Sequence, residues 1–124
     1  MDQAELAREI ISIYRKHGWM LQRVLLRTAT SSAITSAEVL EPDAEPQSRN
    51  SQIFGEASIN DDAPIDALWF SRPSTRQREA WELRLLSETP YALFETFEKD
   101  EPEDAREEVR REMEARLFDY VMRK

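Results

Sequence analysis

The chain has 124 residues and a formal net charge of −8, from 25 acidic and 17 basic side chains, with one His, two Gly and no Cys. That length is one domain, 1–124; the absence of Cys excludes a disulfide framework, a zinc-thiolate site and a thiol nucleophile, and two glycines cannot write a Walker-type loop or a Rossmann fingerprint. The acidity opposes general attraction to nucleic acid or anionic lipid.

In chain order, residues 3–17 predict a helix. Leu6, Ile10, Ile13 and Tyr14 recur at three- and four-residue spacing, Arg15, Lys16 and His17 suit the negative end of the helix dipole, and Gly18 is a natural terminator. Trp19 to Thr28 reads as a strand by its large apolar and β-branched content, although Leu21, Val24, Leu25 and Thr28 also fit a helical face. The small polar stretch Thr28 to Ser36 reads as a turn before a short apolar group at Val39-Leu40. Residues 41–52 hold two prolines and nothing apolar larger than Ala, so they predict a mobile internal loop.

The core resumes at Ile53-Phe54 and runs through Ala57 to Ile59, followed by a turn at residues 60–64. Ile65–Ser71, Trp81–Leu86 and Tyr91–Phe97 predict three strands of an antiparallel meander. Pro102 at a first helical position, followed by Glu103 and Asp104, opens the last helix, in which Ala105, Val109, Met113, Leu117 and Val121 recur every four residues. Glu107 with Arg111 and Glu112 with Arg116 stand at the spacing of intrahelical ion pairs. The expected fold is α+β: an antiparallel sheet of about four to five strands with an N-terminal and a C-terminal helix packed on it. The acidic start and apolar runs of at most four residues give no signal peptide and no membrane span, so a cytoplasmic location is expected.

No constellation of residues carries chemistry by motif, and an enzymatic role is the less favoured reading. His17 is the one side chain that titrates near neutrality unaided, with Tyr14 one turn behind it, but a last-turn histidine favoured by the dipole explains it as well. Asp61, Asp62 and Asp66 cluster in sequence, and Glu95 and Glu98 interrupt the last strand; turn and solvent-face roles account for them more simply than acid–base work. No metal site and no cofactor are expected. Arg72, Arg76 and Arg78 beside Trp69, Phe70 and Trp81 are candidate anion-binding residues, with nucleic acid disfavoured by the charge.

The aromatic supply is the most informative hint. Both parities of Ile65–Ser71 and Tyr91–Phe97 are apolar, so either both sheet faces are covered or one is partly open for a partner. The primary expectation is a small acidic protein-interaction domain, an adaptor, chaperone-like or inhibitory partner, for which self-association is one way to cover the sheet. The order of elements and the acidity are similar to those of small secretion chaperones, in architecture and charge alone. The alternative is a small-molecule site, as a ligand-binding domain or an enzyme, in an aromatic pocket between sheet and helices, with Tyr14, His17, Asp66, Trp69 and Trp81 as its candidate residues.

Overall fold

The computed structural model describes residues 2–39 and 53–123; the loop expected at 41–52 lies outside them. The described elements run α1 (Gln3–Lys16), β1 (Met20–Leu25), α2 (Thr28–Val39), β2 (Ser58–Asn60), β3 (Ala67–Pro73), β4 (Arg78–Leu85), β5 (Ala92–Glu98) and α3 (Glu103–Met122). The strands form one sheet in the order β2-β1-β3-β4-β5.

α1 starts where Asp2 accepts a hydrogen bond from the Glu5 backbone N–H at 2.8 Å, a side-chain N-cap. It ends at His17, beyond which Gly18 turns the chain with φ +86°, a conformation that costs glycine little. The expected α+β class and mostly antiparallel sheet are present, with one parallel pair, β1 with β2, joined by a connection that includes α2. Parallel neighbours need such a long crossover, whereas β3, β4 and β5 follow one another as a meander.

α2 replaces the turn expected at Thr28–Ser36. Its Ser and Thr residues favour turns in isolation because their hydroxyls compete for the backbone. Tertiary partners override that preference. Ile34 is buried against the α1 side of the core, and Asp66 accepts hydrogen bonds from the Arg27 backbone N–H (2.8 Å) and the Thr30 hydroxyl (2.8 Å) at the helix start.

Successive residues of a strand face opposite ways, and both faces of this sheet carry a core. On one, Leu6, Ile10 and Ile11 of α1 and Ile34 of α2 pack on Val24, Leu68 and Phe70. On the other, Met113 and Leu117 of α3 pack on Trp69, Trp81, Leu83 and Phe97. β3 is central, and Ala67 to Ser71 are all buried, which is why its sequence is apolar at both parities. The cover is unequal, however: among the described residues the buried apolar cluster beneath α1 and α2 takes no apolar residue of β4 or β5, and α1 reaches β4 through the hydrogen bond of Tyr14 to Glu82.

Candidate functional site

Among the described residues β5 is an edge strand, so one row of its backbone N–H and C=O groups has no neighbouring strand there. At its middle stands Phe94, 58 % exposed. Its register opposite Glu82, which pairs in turn with Phe70, turns Phe94 toward the α1 side. There it meets Trp19 edge-on, with ring centroids 6.3 Å apart. Trp19 in turn contacts Tyr14 (6.1 Å), and Tyr14 stacks on Phe70 at 4.1 Å. An aromatic path therefore runs from the buried core outward to the exposed ring of the edge strand, past the limit of helical cover.

Tyr14 is held within that path. Its hydroxyl donates to the Glu82 carboxylate, and burial, reinforced by that hydrogen bond, pushes its titration well above the usual tyrosine range. A phenol held neutral in this way is a positioning group for the aromatic path rather than an available base. His17 is exposed at the C-cap, where its backbone carbonyl accepts a hydrogen bond from the Arg72 guanidinium at 3.1 Å. Arg72 also lies over the Trp19 ring, 5.3 Å from its centroid.

Asp66, Trp69 and Trp81 are engaged inside the fold. Asp66 is buried and, besides its contacts at the start of α2, pairs with the Arg27 guanidinium at 3.0 Å. Trp69 is fully buried and donates its indole N–H to Glu114 at 2.9 Å. Trp81 meets Trp69 edge-on at 5.8 Å and donates to Glu79. Thus the candidates for an aromatic pocket divide: Tyr14 and His17 lie on the α1 side, the two tryptophans under α3, and Asp66 at the start of α2. Asp61 and Asp62 are exposed in the turn before β3, apart from Asp66, and Glu98 pairs with Arg78 at 3.1 Å. Among the described residues no three His, Asp or Glu side chains are grouped as a metal ion requires.

Two of the arginine candidates, Arg72 and Arg78, come together at the end of the sheet where β3 leaves and β4 returns. Arg72 and Arg78 line an open cleft of about 560 Å³ with Lys99, Arg106, Met20 and Glu79. Arg76 stands at the hairpin tip with φ +59°, a left-handed conformation that is costly for a side chain of this kind. Arg106 is committed elsewhere: it donates to the carbonyls of Glu98 (2.7 Å), Lys99 (3.1 Å) and Glu101 (3.2 Å), fixing the link from β5 to α3.

A further group was not anticipated from the sequence. Arg110, on α3, is only 2 % exposed, with its guanidinium 4.2 Å from the Trp81 ring centroid. It donates to Glu103 (2.8 Å) and Glu107 (2.7 Å), while Arg23 of β1 binds Glu107 through two hydrogen bonds of 2.9 and 2.8 Å. The Arg23 hydrogen bonds, with Arg110 adding to them, hold the Glu107 carboxyl down at about 2. Glu107 is therefore spent on Arg23 and Arg110. The signal in the sequence was Arg110 itself, three and seven residues before Met113 and Leu117 on the apolar stripe. This network clamps α3 to the sheet.

Among the described residues no helix is long and apolar enough to cross a membrane. Compared with known protein families, curated proteins and solved structures, the chain matches none.

Proposed function

We propose that this chain is a protein-interaction domain of the adaptor, chaperone-like or inhibitory kind, which binds its partner along β5 and the part of the sheet beside it. The observation that carries this reading is Phe94: a large ring more than half exposed, at the centre of an edge strand, on the side where helical cover stops. An extended segment added to such an edge gains backbone hydrogen bonds, and an exposed aromatic beside it offers a packing site. The engagement of Trp69, Trp81 and Asp66 with internal partners weighs against the small-ligand alternative.

The reading is tested by light scattering after size exclusion, combined with binding of a fluorescent dye that senses apolar surface. The wild-type chain is expected to bind the dye or to self-associate, and Phe94→Glu to abolish either behaviour without changing the thermal midpoint. A wild-type monomer that binds no dye contradicts the reading.

A further inference from the structure

We propose that the segment recognised along β5 is acidic at one end, and that its carboxylates are received by the cleft formed by Arg72, Arg78 and Lys99. This rests on the reading of β5 as the docking edge and adds the chemistry of the partner. Continuity is the first ground. β5 ends at Glu98, and Lys99, the next residue, lines the cleft, so a segment laid along the free edge leaves it beside the cleft's rim.

Charge is the second ground. In a chain of net charge −8, three separate strand ends bring basic side chains to one cleft, Arg72 from β3, Arg78 from β4 and Lys99 after β5, with Glu79 the one acidic side chain among the described residues that line it. Arg78 is paired with Glu98, but among the described residues no carboxylate pairs with Arg72, Arg76 or Lys99. In a chain whose net charge is negative, such a cleft gives an acidic segment one favourable place for its charged end and so orients it.

The spread of these groups favours a polypeptide over a compact anion. They sit on separate elements around an open cleft, matching several carboxylates spaced along a chain. The spacing of the partner follows as well: Phe94 and Lys99 are five residues apart, about 17 Å in an extended chain. The partner thus carries an apolar side chain for Phe94 and, about four to six residues away, a group of Asp or Glu.

The test is an NMR titration of the ¹⁵N-labelled full chain with a synthetic peptide of about ten residues. The peptide holds one leucine, a short threonine spacer and a run of glutamates; its control has lysines in place of the glutamates. Saturable shifts confined to residues 92–99 and 72–78, binding at least about fivefold tighter for the acidic peptide, and weakening as salt rises from about 50 to about 300 mM are expected. Lys99→Glu combined with Arg78→Glu, both lining the cleft at exposed positions, is expected to remove that preference while leaving the spectrum folded. Equal binding of the two peptides at β5 overturns the acidic partner but leaves the docking edge standing. Acidic-peptide shifts confined to the cleft and unchanged in Phe94→Glu overturn the docking edge instead. Saturable binding of tripolyphosphate without the acidic peptide assigns the cleft to a compact anion, and no shifts with either peptide overturn the proposal.

Discussion

Asp66 shows how one carboxylate ties the approach to β3 to the start of α2: it accepts from the Arg27 backbone, the Arg27 guanidinium and the Thr30 hydroxyl. In sequence it stands beside Asp61 and Asp62, and nothing local separates it from them. The structure does so because β3 begins at Ala67 and draws Asp66 inward. Asp66→Ala leaves a backbone donor and a hydroxyl without their acceptor, so it is expected to cost about 2 kcal/mol in urea unfolding, with Asp66→Asn costing less. Glu107 has a depressed pKa, so its ion pairs contribute stability above the ordinary carboxylate value of 4.5 and lose it as pH falls from there toward about 2. Across that window the stability difference between wild type and Glu107→Gln is expected to shrink, as followed by thermal midpoints at stepped pH; a constant difference contradicts the assigned pairing.

Among the elements, the two terminal helices and the meander were legible because each has a strong local period or clear boundaries. β1 was legible with an ambiguity that has a physical source. A bulge between Leu21 and Arg23 shifts the register, so that Leu21 and Val24 both face α1 while Arg23 turns to α3. Three-residue spacing on one face is what a helix would show. α2 was not legible, since its Ser- and Thr-rich sequence carries little apolar period and depends on Asp66 and Ile34. Hydrogen exchange should therefore show α2 amides losing protection in Asp66→Ala while those of α3 keep theirs. On α3, Arg110 fills space under Trp81 and Phe97 as much as it carries charge, and among the described residues its Nε has no hydrogen-bond partner. Arg110→Met is expected to cost under about 1 kcal/mol and Arg110→Ala about 3 kcal/mol, because the methionine keeps the packing and the alanine leaves a void. Chemical denaturation of both variants checks the order.

For the whole molecule, apolar residues at both parities meant that both faces of the sheet are used, but not how far the cover extends. α1 and α2 pack mainly on β1 and β3 of one face, and α3 packs on the other face. The boundary at Phe94 was invisible in the sequence, because the exposed ring and the buried Phe97 three residues on look alike there. The net charge of −8 is likewise an average: residues 95–114 hold ten acids and four bases, while Arg72, Arg76 and Arg78 stand at the end of the sheet beside the cleft. The proposed interaction along β5 is tested most directly by a photo-crosslinking amino acid placed at position 94 in the native host, with the same residue at exposed position 62 as control. A recurrent adduct, with a single partner or a second copy of the chain, is expected at 94 and not at 62; the same pattern at both positions, or none at either, would contradict docking along β5.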